Sequence, residues 1–323
     1  MTSNRKITLL AVLASLSLSI LPMHPLSADE SYPSKSVKLT VGFGPGGPSG
    51  ISARFLQKYF EKVTGKDLII INKPGGGGAG AWSEMNQLPA DGYNLTLMSL
   101  PQIILQPGVT PTVGYEFSEL NTVLVYTSVP QVFAVPANSE FDTVAEFLTA
   151  AKAQPGSLTV AGTASGGSNH SAHTLFNQAA DIKTVYIPFK DTASTVAAVK
   201  GGQTKAAWTW ATQGIRDQGS IKILGLAADE RMELFPDLPT IKEQGVDMKD
   251  QAWWGIGVPS ATPEPLRKKV SETFLSVMQA EGIADEMIAA GYVPFIVEYD
   301  HVSKFKEGLF ETYSAVIPAL KAN

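Results

Sequence analysis

The sequence predicts a two-lobed α/β fold, and three observations carry that expectation. Short apolar runs alternate with segments of helical spacing along the chain, as in a sheet whose strands are linked by helices. Each half contains the same unit, a strand that runs through a loop of small residues into a helix. The chain has no cysteine and is 44% hydrophobic, so its cores must hold without disulfides. A chain of roughly 300 residues is large enough for that.

In the first half, the strand Val37–Val41 ends at Gly42, and a Gly/Pro/Ser loop covers 44–50. Over 51–63, Ile51, Phe55, Leu56, Tyr59 and Phe60 fall on one helical face, and Gly65 closes the helix. Over 67–71, Asp67 is followed by an unbroken apolar run, which predicts a parallel strand buried on both faces. Residues 72–80 form a second glycine-rich turn, read as tight packing rather than ligand contact, with a helix over 79–88. Asp91-Gly92 marks a turn before a strand over 95–98 that stops at Ser99. Two strands fit 122–126 and 131–135, with Pro136 breaking the pattern. Thr143 is placed to cap a helix over Val144–Ala153, which Pro155-Gly156 ends.

The second half is expected to carry strands over 158–161, 184–187, 205–210 and 221–227, with helices over 169–180 and 193–200. A second small-residue loop spans 162–168. Helical patterns over 265–281 and 301–320 complete the chain.

The first 28 residues read as a secretory signal: Arg5 and Lys6, an apolar run over 7–23, and small Ala28 at the cleavage position. A cysteine for lipid anchoring is lacking, and no second apolar stretch approaches a membrane span of about 20 residues. The signal holds two of the 25 basic residues and none of the 30 acidic ones, so the exported chain carries a net charge of −7. That charge argues against nucleic acid or an anionic membrane as partner.

The two strand–loop–helix junctions are the strongest functional candidates. Loop one holds Phe43, Pro45, Gly46, Gly47, Pro48 and Ser49; loop two holds Thr163, Ala164, Ser165 and Gly166, followed by Asn169 and His170. A helix N-terminus offers unpaired N–H groups and about half a positive charge, and small residues let an anion reach them. The hydroxyls of Ser49, Thr163, Ser165 and Ser168 would add donors. Two such loops facing one cleft would hold a carboxylate without Arg or Lys. Ser99 at its strand end, and Phe189 and Thr192 near the lobe interface, join the candidate contacts.

Trp208 and Trp210 lie two apart on one strand and point the same way, with Thr209 opposite. Core packing and a stacking surface in the cleft both fit them, and Trp253-Trp254 at an expected interlobe crossing poses the same choice. Nucleotide motifs are absent. His170 and His173 share a helix face without a third metal ligand, so His170 is read as capping or lining the cleft and His173 as a surface residue. No cofactor is called for. A hydrolase built on a cleft Ser with His170 stays as a weak alternative, without a GxSxG elbow to support it.

The order of short motifs resembles the substrate-binding proteins of tripartite tricarboxylate transporters, the Bug family of periplasmic receptors. Tyr32-Pro33 with Val37, Phe43 with Pro45-Gly46-Gly47, and Asn72-Lys73-Pro74-Gly75 with Gly77-Gly78 are similar to its opening segments. Asp91-Gly92-Tyr93, Gly167-Ser168 with His170, Pro188-Phe189-Lys190 and Gly201-Gly202-Gln203 resemble later ones. Leu238-Pro239-Thr240 with Glu243 and Gly245, and Trp254-Gly255 with Pro259 and Thr262-Pro263, extend the likeness over the mature chain. The resemblance implies a type II-like periplasmic binding protein fold, with a ligand cleft between lobes formed by 29–135 plus 255–323 and by 136–254. It implies a non-catalytic, monomeric receptor that holds a small organic carboxylate through main-chain amides, hydroxyls and water. A permease of one large and one small subunit would be its partner; a sensing role beside a signalling partner is the alternative. The family often has Asp where this chain has Gly50, Lys205 and Thr209. Loss of acid at Gly50 and Thr209 disfavours an amino-acid ligand. Phe43, Phe189, Trp208 and Trp210 together suggest an aromatic cleft suited to an aromatic acid, with a dicarboxylate as the other option.

Overall fold

A computed structural model describes residues 32–322, so the expected signal segment lies outside the described residues. Strand β1 (Val37–Val41) alternates buried and exposed positions and leads into helix α1 (Pro48–Thr64). The helix starts three residues earlier than its apolar spacing predicts. Pro48 has no N–H to lose in the first turn, and Gly65 closes the helix in a left-handed conformation at φ 67°.

Strand β2 (Leu68–Asn72) pairs in parallel with β1 but forms the edge of the sheet. Ile69 and Ile71 are exposed, so the continuous apolar run does not mark a strand buried on both faces. A short 3-10 turn at Gly76–Gly78 enters α2 (Ala79–Met85), and β3 (Asn94–Leu100) joins β1 on its other side. Helix α3 (Gln102–Val109) follows at once; its Pro107 and few polar residues hide it from a reading by periodicity.

Strand β4 (Asn121–Pro136) joins the two expected strands into one run of 16 residues. Residues 121–130 pair antiparallel with β9 (Gln251–Val258), and from Gln131 onward the partners become β7 (Ala206–Trp210) and β8 (Ile221–Leu226). Trp253-Trp254 thus sit within a strand. Helix α4 (Val144–Ala153) carries the expected cap, with Thr143 accepting from the Glu146 N–H. Strand β5 (Thr159–Thr163) leads through loop two into α5 (Ser168–Ala180) and pairs in parallel with β6 (Val185–Phe189) and β7. Helix α6 (Thr192–Lys200) lies between β6 and β7, and α7 (Ala211–Arg216) follows β7.

The C-terminal part adds α8 (Glu264–Met278), α9 (Ile283–Ala289) and β10 (Val293–Val297), which returns to β4. The helical pattern over 301–320 divides into α10 (Tyr299–Ser314) and α11 (Ile317–Ala322), with Pro318 in the first turn of the second helix. Strand order is β2-β1-β3-β9-β4-β7-β5-β6. One apolar core surrounds Leu39, Leu56, Phe60 and Phe274. A separate one surrounds Phe133, Phe147, Phe176 and Trp208. Both strand–loop–helix junctions end at the same side of this assembly. Among the described residues, no helix is long and apolar enough to cross a membrane.

Candidate functional site

Both small-residue loops line one cavity of about 970 Å³. Loop one supplies Phe43, Pro45, Gly46, Gly47, Pro48 and Ser49, and loop two supplies Thr163, Ala164 and Ser165. Ser99, Phe189, Thr192 and Trp210 also reach the wall. Gly166, Asn169, His170, Trp208 and Thr209 do not line it; they lie behind it, and their roles differ.

The sequence dictates loop one through what it leaves out. Gly50 has no side chain, and a Cβ there would lie 2.6 Å from the Gly44 carbonyl and 2.8 Å from Pro45. The loop therefore folds back over its own helix. Asn72 donates to the Phe43 carbonyl at 2.8 Å, Tyr292 donates to the Pro48 carbonyl at 2.6 Å, and the Trp254 indole donates to Ser49 Oγ at 2.7 Å. From outside, Arg54 and Arg216 donate to the carbonyls of Pro45 and Gly46. Cationic side chains are thus part of the arrangement. They hold the loop by its carbonyls, and Lys190 stands at the exposed rim.

Loop two is held from behind. The Asn169 amide oxygen accepts from both the N–H and the hydroxyl of Thr163, at 3.1 and 2.6 Å. The Gly166 N–H donates to His170 Nδ1 at 3.2 Å, and the His170 ring stacks on Tyr186 with centroids 4.3 Å apart. His170 is thus a buttress for the loop. His173 is not a surface residue: it is buried, 2.8 Å from the Thr184 hydroxyl. Burial pulls His170 down to about 4, and burial together with neighbouring His170 pulls His173 down to about 3. Both rings are neutral at pH 7. Ala164, on the cavity wall, adopts φ 46°, a left-handed conformation that costs a non-glycine residue about 1 kcal/mol.

Helices α1 and α5 begin at glycine N-caps, Gly47 and Gly167, with no side-chain cap. Helices α4 and α6 carry complete capping boxes. Helix α1 thus brings uncapped first-turn N–H groups to the wall, where Gly47, Pro48 and Ser49 line it, whereas α5 starts behind loop two and α6 reaches the wall with its cap in place at Asp191. Ser99 and Thr192 are buried, and their hydroxyls find no partner among the described residues. This wall offers dipoles and hydroxyls in place of a bound counter-charge.

Sequence reasoning missed two contributors. Pro74, Gly75, Gly76, Gly77 and Ala79 line the cavity, so the 72–80 turn does more than pack. The side-chain amides of Gln102 and Gln106, on α3, donate to the Gly77 and Gly76 carbonyls at 2.6 and 2.8 Å and line the cavity themselves. The aromatic expectation divides. Trp208 packs in the core against Phe133, centroids 5.1 Å apart, whereas Trp210 and Trp254 meet edge to face at 5.9 Å on the cavity wall. The reason is local: Trp210 is the last residue of β7, where the strand opens toward the cleft.

The sequence profile of the tripartite tricarboxylate transporter family receptor, TctC, matches residues 52–321. The chain belongs to that receptor family. BugT of Bordetella pertussis is 25% identical over 300 residues, 91% of each chain. A Rhodopseudomonas palustris protein solved with adipate has a TM-score of 0.84 at 22% identity, covering 90% of this chain and 98% of the other. MatC of the same organism, solved with bound malate, has a TM-score of 0.80 at 21% identity, covering 88% of this chain and all of the other. At those identities the likeness to solved structures establishes the two-lobed binding-protein fold. As a TctC-type receptor, the chain is a solute-binding protein and not an enzyme.

Proposed function

We propose that this TctC-type receptor is exported to the periplasm, captures a small organic carboxylate in the cavity between its lobes, and delivers it to a tripartite permease with a large and a small subunit. The two small-residue loops that lead into α1 and α5, both on the wall of one cavity, carry this reading. The solved relatives with malate and adipate support the ligand class. The lobes are residues 29–135 with 255–323, and 136–254; the change of partner along β4 at Gln131 and the course of β9 support crossings near those points. The candidate contacts are those on the cavity wall, with Asn169 and His170 acting from behind loop two.

A thermal-shift screen over mono-, di- and tricarboxylates, aromatic ones included, tests the reading. A true ligand at 100 times its Kd raises stability by about 2.7 kcal/mol. Recovery of the ligand unchanged after prolonged incubation is expected of a receptor. Failure of every carboxylate to shift the melting curve would remove the proposal.

A further inference from the structure

Resting on the carboxylate-receptor reading, we infer that the ligand carries a hydroxyl besides its carboxylate, and that Thr163 accepts a hydrogen bond from it. The argument is one of hydrogen-bond polarity. The side chains of Thr163, Asn169 and Gln131 form a chain whose two ends are main-chain groups of fixed character. At one end Gln131 Nε2 reaches the Ser168 carbonyl at 2.8 Å, and a carbonyl only accepts. This fixes the Gln131 amide, so its oxygen must accept from Asn169 Nδ2. That in turn fixes Asn169 with its oxygen toward Thr163. At the other end the Thr163 N–H, which only donates, meets that same oxygen at 3.1 Å. Both ends require the same orientation, and Gln131 and Asn169 are fully buried, so no water competes to reverse it.

The consequence falls on Thr163. Its hydroxyl lies 2.6 Å from Asn169 Oδ1, an atom without hydrogen, so the hydroxyl must donate there. Its one hydrogen is committed, and its N–H is committed to the same atom. For the cavity it has only lone pairs left. Thr163 is therefore not a donor to a carboxylate, as its residue type suggests, but an acceptor on the wall.

The other hydroxyls have the opposite sense. Ser49 Oγ accepts from the Trp254 indole and keeps its own hydrogen free. Ser99 and Thr192 have no partner among the described residues and are free to donate. The wall thus pairs donors for a carboxylate with one acceptor built to receive a donor. A hydroxyl suits that acceptor better than an ammonium. The one carboxylate on the wall, Asp191, already caps α6 through the Ser194 N–H and hydroxyl and stands next to Lys190.

Matched acids test this by titration calorimetry on the purified protein: succinate against malate, glutarate against 2-hydroxyglutarate, and phenylacetate against mandelate. In the pair whose skeleton fits, the hydroxylated member should bind about tenfold tighter. Thr163→Val should erase that difference, while Thr163→Ser should retain it. A hydroxyl that adds nothing to any acid that binds would overturn the inference and leave the receptor reading standing, and this wild-type comparison does not depend on the variants folding. Equal weakening of both members by Thr163→Val would also overturn it, because that is the mark of a water bridging Thr163 to the carboxylate. If no acid of the set and of the wider screen binds, the receptor reading falls and takes this inference with it.

Discussion

Gly47 and Gly50 stand three residues apart at the start of α1, yet a side chain would meet different surroundings at each. A Cβ at Gly47 finds nothing nearer than 3.8 Å, so Gly47→Val should fold normally while its methyl groups occupy the cavity. We expect melting temperature within about 2 °C of the parent and carboxylate binding reduced at least tenfold. At Gly50 the Cβ itself collides with backbone, so Gly50→Ala should displace loop one and destabilise the fold by about 1–3 kcal/mol. Differential scanning calorimetry separates the two outcomes. Glycine content announces such a loop, but only the backbone path shows which glycine faces the ligand and which packs. The same holds for Thr163: its type says hydroxyl, and the buried Gln131 and Asn169 behind it decide which way the hydrogen points. Three buried titrating groups set a pH response. His170 and His173 are held near 4 and 3, below the ordinary histidine value, so the stability they contribute is present above about 6.5 and is lost as pH falls toward 4. Asp250, pushed up to about 7 by burial, works in the opposite direction across that window: its contribution is present below about 4 and is lost as pH rises toward 7. Two losses against one gain leave a net fall in stability as pH drops from 6 to 5. Urea unfolding at those two pH values checks the sign, and a His173→Gln variant should flatten the slope.

Among the elements, α7 joins the two halves of the site most directly, because its last residue, Arg216, donates to the Gly46 carbonyl of loop one. On the lobe boundaries proposed above, this bond runs from one lobe to the other and forms only when they approach. It adds to the closed state alone. Arg216→Ala should weaken ligand affinity about fivefold, roughly 1 kcal/mol, mainly through faster release. Unchanged dissociation in stopped-flow fluorescence would show that the bond is not part of closure. Little of this was legible beforehand, since α7 is only six residues long and its sequence, Ala211 to Arg216, has no apolar stripe. Helix α3 was hidden for a related reason: four of its eight residues are apolar without helical spacing, and Pro107 lies inside it. By contrast α4, with Thr143 and Glu146 at capping-box spacing, was legible to the residue. The strand β2 was found, but its exposed edge was not, because an apolar run reports β propensity and does not say where in the sheet the strand lies.

Taken as a whole molecule, the two cores share one continuous strand, β4, and loops from both halves face one cavity. The pairing partners of β4 change at Gln131, which places the hinge for a rotation of the lobes there, and the first core reaches across it to Trp210, Ala211 and Leu226. A ligand touching loop one and loop two gains contacts only when the lobes are together, so it shifts the population toward the closed form by its differential affinity. The interlobe contacts already present set a limit on how far that shift must go. Arg216 meets Gly46, and a Cβ on Gly166 of loop two would lie 3.1 Å from Val109 at the end of α3. Both contacts would have to part for the lobes to separate and widen the entrance to the cavity. Small-angle scattering without ligand should therefore show a larger radius of gyration than with a saturating carboxylate, and Arg216→Ala should enlarge the ligand-free particle without changing the saturated one. If the profile is the same with and without a ligand that raises the melting temperature, entry must proceed by movement of loop one alone, and rotation of the lobes would be ruled out as the step that admits the ligand.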